Sequence, residues 1–261
     1  MNYFNEEQHA FWKENGFIHL KNHLSKEKAE SIGNWVLELD SWPETPGKWM
    51  KYFERSSNGN NRQLCRVENF IPYHDEFKNF LCGKEIYGMV SELMNEEAVL
   101  FKEKINYKYP GGGGFAAHQD APAFTAFKQK FHITMLISID PATRENGCLE
   151  MVHGYDKLEL LKMNDDLTVH DEEIKKFNWH PLETSPGDIV FFNSFVPHRS
   201  FTNHSKLPRR ALYITYNRKS EGEKREDYYI DKREKFPQEC ERIAGKDYGQ
   251  NTIYNVANPI R

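Results

Sequence analysis

Residues 115–122 read FAAHQDAP and contain the triplet His118-Gln119-Asp120. In an extended segment alternate side chains share a face, so the imidazole at 118 and the carboxylate at 120 are expected to project side by side. Two such groups are adjacent corners of a metal's coordination sphere, and a third corner is needed. The candidate is His198, at the end of the apolar run in residues 187–200, GDIVFFNSFVPHRS. Two imidazoles and one carboxylate leave about three positions open on a six-coordinate ion, the facial arrangement of non-haem Fe(II) oxygenases. A triplet this short also recurs by chance, so its weight comes from the segments around it.

Those segments read as β structure from residue 100 onward, with turn signals between them. LFKEKINYKY (100–109) is a strand, and Pro110 with the four glycines at 111–114 makes a flexible loop and candidate hinge before the metal motif. FHITMLISI (131–139) is apolar and long enough to cross a sheet. Glu145-Asn146-Gly147 reads as a hairpin turn leading into CLEMV (148–152) as its partner strand, because Asn-Gly accepts the positive φ of a tight turn. Residues 155–179 are charged and read as a partly helical insertion over the sheet. IVFFNSFVPH (189–198) and ALYITYN (211–217) complete the set. The 77 residues between Asp120 and His198 are enough for strands to run out and back across a sandwich.

Ahead of this region, Asn5 caps a helix that Gly16 ends, a short strand follows at 17–20, and Ser25 caps a second helix with Ala29, Ile32, Trp35, Val36 and Leu39 on one face. Residues 41–61, with Pro43, Pro46 and the turn-like SSNGNN, read as irregular; QLCRVENF (63–70) reads as extended. A further helix at 84–95 turns Ile86, Met89, Val90 and Leu93 inward. The expected architecture is mainly β with flanking helices: a two-sheet jelly roll, cupin-like, whose mouth holds a ligand. One domain is expected over 1–261, with a mainly helical flank (1–99), a jelly-roll core (100–217) and a charged C-terminal extension (218–261). The alternating charges of 218–235 predict a solvated helix there.

Composition narrows the function. The chain has 261 residues, of which 38% are hydrophobic, with 18 Phe, 13 Tyr and 5 Trp, enough to fill a core. A net charge of -4 without a basic patch argues against nucleic acid as a partner. The four cysteines, Cys65, Cys82, Cys148 and Cys240, have neither metal-knuckle nor disulfide-framework spacing and read as reduced thiols. With no signal-peptide pattern and no long apolar run, the expectation is a cytoplasmic protein with no membrane partner. Oligomeric state is left open.

Taken together, ENGFIHLKN, KINYK before His-Gln-Asp, ENGCLEMV, PGDIVFF and PHRSFTN followed by Arg209 resemble the phytanoyl-CoA dioxygenase family of Fe(II)/2-oxoglutarate oxygenases over nearly the whole chain. The resemblance implies a double-stranded β-helix, with Fe(II) held by His118, Asp120 and His198 as the catalytic and metal residues. It implies 2-oxoglutarate as cosubstrate bound by Arg209 and Ser200, with Asn106, Thr134 and Leu136 lining that side, and O2 as the second cosubstrate. A guanidinium pairs a carboxylate through two bonds and a hydroxyl adds another; Arg209 is preferred over its neighbour Arg210 from the family's spacing. Asp120 is retained where related halogenases carry a small residue, which implies hydroxylation. One departure stands out: Gly154-Tyr155-Asp156 replaces the family's Gly-Ser-His and leaves the loop geometry there open.

Lys102, Lys104 and Asn106 alternate on one strand and share a face. Turned inward, the two ammonium groups favour an anionic or zwitterionic small-molecule substrate; turned outward, they are solvated lysines. Arg66 is either a further cationic contact or a structural ion pair. Phe115, Phe124 and Phe131 are either walls of the site or core. LCRVENF, HQDAPAF, FVPHRS, PRRALYITYN and YYIDKREKFP look most like bacterial family members that hydroxylate 2-aminoethylphosphonate and its N-methylated relatives. The rival readings are a hydroxylase of an amino acid or secondary metabolite, which needs the same residues, and a non-catalytic jelly-roll binding module, which does not.

Overall fold

A computed structural model describes residues 2–55, 62–249 and 252–257. In chain order these form α1 (Glu6–Asn15), β1 (Phe17–Leu20), α2 (Lys26–Ser41), β2 (Met50–Arg55), β3 (Arg62–Glu68), α3 (Asp75–Leu81), α4 (Lys84–Met94), β4 (Ala98–Lys108), β5 (Phe115–His118), β6 (His132–Ser138), β7 (Leu149–Val152), α5 (Asp171–Ile174), β8 (Trp179–Leu182), β9 (Ile189–Asn193), β10 (His198–Ser200), β11 (Arg209–Arg218) and α6 (Arg225–Lys235). The strands build two facing antiparallel sheets. The larger runs β1-β9-β6-β11-β4-β3-β2 and the smaller β5-β10-β7-β8.

Strand periodicity decides what each face carries. On β6, Ile133, Met135 and Ile137 point outward and pack with Ile105, Leu212, Ile214 and Phe191 against α2, α3 and α4. The alternate residue Leu136 points into the sandwich, where Phe17, Val190, Phe192 and Tyr213 meet Leu149, Met151 and Val196. The helices start where their caps predict. Asn5 and Gln8 form a reciprocal capping box at α1, Gly16 closes it in the left-handed conformation, and Ser25 accepts from the Lys28 amide at α2. Ile86, Met89, Val90 and Leu93 of α4 are buried as their spacing requires. None of the four cysteines is paired in a disulfide, and no helix among the described residues is long and apolar enough to cross a membrane.

Three expectations are corrected. Residues 41–61 are not irregular throughout, since Met50–Arg55 forms β2; the SSNGNN stretch lies outside the described residues. The first 99 residues therefore supply three strands to the larger sheet as well as helices. Asn146-Gly147 is not the turn of a hairpin, because β6 and β7 belong to different sheets. The turn carries the chain from one sheet to the other, with Gly147 at φ 74° pressed so closely on the Phe201 carbonyl that no side chain fits.

The third correction concerns the charged tail. Its helix α6 is only partly solvated: Tyr228, Tyr229 and Lys232 are buried. Lys232 Nζ bonds both oxygens of the buried Glu68, at 2.7 and 2.6 Å. Burial opposes charge on Glu68, but Lys232, Arg66 and Lys102 outweigh it and hold the carboxyl down at about 2. Removing one partner of a buried pair leaves an uncompensated charge and typically costs several kcal/mol. Lys232→Ala is therefore expected to lower the unfolding free energy by about 3–5 kcal/mol in urea titrations; a loss below about 1 kcal/mol would show that Glu68 finds solvent or another cation.

Candidate metal centre and adjoining chamber

The smaller sheet brings the two histidines together. In the pairing of β10 with β5, His198 lies directly opposite His118, and their ring centroids are 4.2 Å apart. Each Nδ1 faces the carbonyl two residues before it, His118 to Ala116 at 2.8 Å and His198 to Val196 at 3.0 Å. A proton on each Nδ1 satisfies those carbonyls, fixes the tautomer and leaves both Nε2 lone pairs free to ligate. Asp120 Oδ1 lies 3.8 Å from His118 Nε2 and 4.0 Å from His198 Nε2. One ligand atom from each of the three residues lies within 4.8 Å of the others.

Asp120 does not reach this point by strand alternation, contrary to expectation. The strand ends at His118, and Asp120 is in a helical conformation (φ -75°, ψ -26°) at the start of a short turn. Gln119 holds that turn: its amide donates to the carbonyls of Glu159 and Phe195, and its carbonyl accepts from the Leu161 amide. It also bonds the Tyr155 hydroxyl. Neither Gln119 nor Tyr155 was singled out from sequence, although Tyr155 sits where the chain departs from the family pattern.

The electrostatics suit a cation. Burial, then His198, push His118 down to about 3, so its imidazole is neutral at working pH. Burial would raise Asp120, but His198, His118, Lys104 and Lys102 outweigh it and hold the carboxyl ionised, at about 2. Two imidazoles and a carboxylate are the donor set of a non-haem Fe(II) centre.

Across the chamber, the larger sheet presents ordered rows. Lys104 pairs with Glu68 and Tyr213, and Tyr213 with Leu136. Asn106 pairs with Arg66 and Ala211, while Lys102 pairs with Thr215 and Thr215 with Thr134. Lys102, Lys104, Asn106 and Thr134 thus line the same chamber as the triad, together with Phe115 and Ser200. The question of which way the lysines point is answered: inward. Lys102 Nζ lies 4.4 Å over the Phe124 ring and Lys104 Nζ 5.3 Å over Tyr213. Burial, then Lys102 and Arg66, push Lys104 down to about 7. Phe115 lines the chamber, whereas Phe124 and Phe131 are buried in the core clusters.

Arg209 and Arg210 separate cleanly. Arg210 points away and gives Nε and Nη2 to Asp140 at 2.8 and 2.9 Å. Arg209 is buried; its Nη2 donates to the Gly147 carbonyl at 2.7 Å, and its Nε has no partner among the described residues. It borders a recess formed by Leu136, Ser138, Leu149, Ala211 and Tyr213. Ser200 accepts from Lys108 Nζ at 2.8 Å. Lys108 was missed, although it continues the alternation of Lys102, Lys104 and Asn106. Arg66 is buried and bonds Glu68 and the Tyr254 carbonyl, both at 3.3 Å, with its Nε unpartnered.

A jelly roll carrying this triad defines a non-haem iron oxygenase. Residues 12–211 match the phytanoyl-CoA dioxygenase (PhyH) family, and the chain belongs to that family. It is 61% identical, over the full length of both chains, to a 2-aminoethylphosphonate dioxygenase from an uncultured bacterium. Over 227 residues it is 41% identical to a methylphosphonate hydroxylase from Gimesia maris, covering 87% of this chain and 86% of that one. Among solved structures, EctD from S. alaskensis with 2-oxoglutarate and 5-hydroxyectoine superposes with a TM-score of 0.69 at 15% identity, over 84% of this chain and 77% of that one. The protein is accordingly a dioxygenase using Fe(II), 2-oxoglutarate and O2. Anaerobic titration is expected to give one iron per chain for the wild type and none for His198→Ala; stoichiometric binding by the variant would remove His198 from the ligand set.

Proposed function

We propose that the protein hydroxylates a C–H bond of 2-aminoethylphosphonate or an N-methylated relative. The observation that carries this reading is the pair of half-buried lysines, Lys102 and Lys104, facing the His118-Asp120-His198 triad across one small chamber. Two ammonium groups drawn partly out of water beside each other are only partly offset by Asp120 and Glu68, and an anionic substrate offsets more of that cost. The likeness to the phosphonate oxygenases supports the same anion.

When bound, iron couples reduction of O2 to oxidative decarboxylation of 2-oxoglutarate, yielding succinate and CO2 and inserting one oxygen atom into the substrate C–H bond. The chain's residues bind and orient. Arg209 and Ser200 take the distal carboxylate of 2-oxoglutarate, and the unpartnered Arg209 Nε is a donor waiting for such an acceptor. Thr134, Leu136 and Asn106 flank the cosubstrate. Lys102, Lys104 and Arg66 neutralise the phosphonate, while Phe115 and Leu149 keep bulk water from the reacting carbon.

Arg209→Ala is expected to weaken 2-oxoglutarate binding by at least about 2 kcal/mol, since truncating one partner of a buried charge pair leaves the other unpaired. Arg210→Ala should leave that affinity unchanged. The opposite ranking would transfer the role to Arg210.

Purified protein with iron, 2-oxoglutarate and 2-aminoethylphosphonate should release succinate in step with hydroxylated phosphonate. Absence of coupled turnover with any aminoalkylphosphonate would overturn the reading. Lys104 holds an anion only while protonated, and its proton is retained below about pH 7 and lost above it. Affinity for the phosphonate should therefore fall as pH rises from 7 to 9, with a smaller fall in Lys104→Met; identical profiles would exclude Lys104 from the contact.

A further inference from the structure

Beside the metal chamber lies a second cavity that shares Asn106 and Phe115 with it and is walled further by Glu54, Arg66, Lys108 and Arg209. Four buried polar atoms on its lining residues have no partner among the described residues: Arg66 Nε, Asn106 Oδ1, Arg209 Nε and the Tyr107 hydroxyl, the last lying beside Asp40 rather than the cavity. A folded protein rarely leaves such atoms unmatched unless something else meets them. With Arg209 given to 2-oxoglutarate and Arg66 to the phosphonate, the Asn106 oxygen is the acceptor left open.

Glu54 is the anionic member of this cavity. It is buried and, among the described residues, receives only two long hydrogen bonds, from the Gly113 amide at 3.3 Å and Gln63 Nε2 at 3.4 Å. Among the described residues it has no ion pair. The nearby Lys108 ammonium is committed to Ser200 and to the carbonyls of Gly147 and Phe201. A carboxylate has room for about four hydrogen bonds, so Glu54 is under-satisfied, and burial accordingly raises its affinity for a proton.

Its position is built. Met50, Tyr52 and Glu54 alternate on β2, and Tyr52 pairs with Arg66, which pairs with Asn106, so Glu54 follows the row that faces the chamber. An irregularity between Tyr52 and Phe53 keeps Glu54 opposite Gln63. Such bulges re-aim side chains beside active sites. The glycine loop closes over the carboxylate: a Cβ at Gly112 would stand 2.9 Å from Glu54 Oε1.

We propose that Glu54, with Asn106 Oδ1 beside it, accepts the ammonium group of the substrate and sets the preference for aminoalkyl over alkyl phosphonates. This rests on the phosphonate reading above. The two charged ends of the substrate are then divided, with the phosphonate at Lys102 and Lys104 and the ammonium at Glu54.

The test compares 2-aminoethylphosphonate with propylphosphonate, in which a methyl group replaces the ammonium. For Glu54→Gln, the ratio of kcat/KM values for the two compounds should fall at least tenfold, mainly through KM for the amine. Anaerobic calorimetry of the iron- and 2-oxoglutarate-loaded enzyme should show the same loss of affinity for the amine alone. Glu54→Asp, which keeps the charge, should retain the preference with weaker binding. An unchanged ratio in Glu54→Gln, or equal losses for both compounds and for 2-oxoglutarate in both variants, would overturn the assignment while leaving the phosphonate reading intact. A wild type that neither binds nor turns over the amine would overturn both.

Discussion

The arrangement rests on one cross-strand pair, His198 opposite His118, in a sheet of short strands. Neither imidazole is free to choose its orientation, because each Nδ1 is tied to the carbonyl two residues before it. Desolvation keeps His118 neutral and the surrounding positive groups keep Asp120 ionised. The polypeptide therefore fixes geometry, tautomer and charge together before any ion arrives, which is what makes the donor set selective.

The facing sheet is the energetic counterpart. A jelly roll optimised for stability would fill its interior with apolar side chains, yet this one buries Lys108, Arg66 and Arg209 and half-buries Lys102 and Lys104. Some of that cost is offset internally, by Glu68 bridging to Lys232 and Arg66 and by Lys108 bonding Ser200. The remainder is left for ligands: Arg209, Arg66 and Asn106, which line the cavity beside the chamber, each carry a polar atom without a partner among the described residues. Local violations of packing rules at a functional site, compensated elsewhere, are the expected signature of selection for chemistry over stability.

Much of this was legible in the chain. The His-x-Asp triplet, the later histidine and the apolar alternation of residues 131–139 identify the sandwich and its metal face, because period-two patterning and ligand identity are local properties. The two-residue spacing of Lys102, Lys104 and Asn106 placed them on one face, although only the sheet's packing decides which face is interior. What escaped depends on contacts between distant segments. Asn146-Gly147 has hairpin chemistry, and nothing nearby says that the next strand joins the other sheet. Lys232 looks like one more charge on a solvated helix until Glu68, 164 positions away, is seen beneath it. Glu54 lies just before a polar stretch whose composition hides the strand that aims it.

The proposed chemistry requires that an Fe(II) ion held by His118, Asp120 and His198 leave positions open for 2-oxoglutarate. Adding 2-oxoglutarate to the Fe(II)-loaded protein without oxygen should then produce a visible charge-transfer band, at one equivalent of each ligand in the wild type and not in His118→Ala. Binding of both ligands without the band, or an undiminished band in His118→Ala, would contradict it.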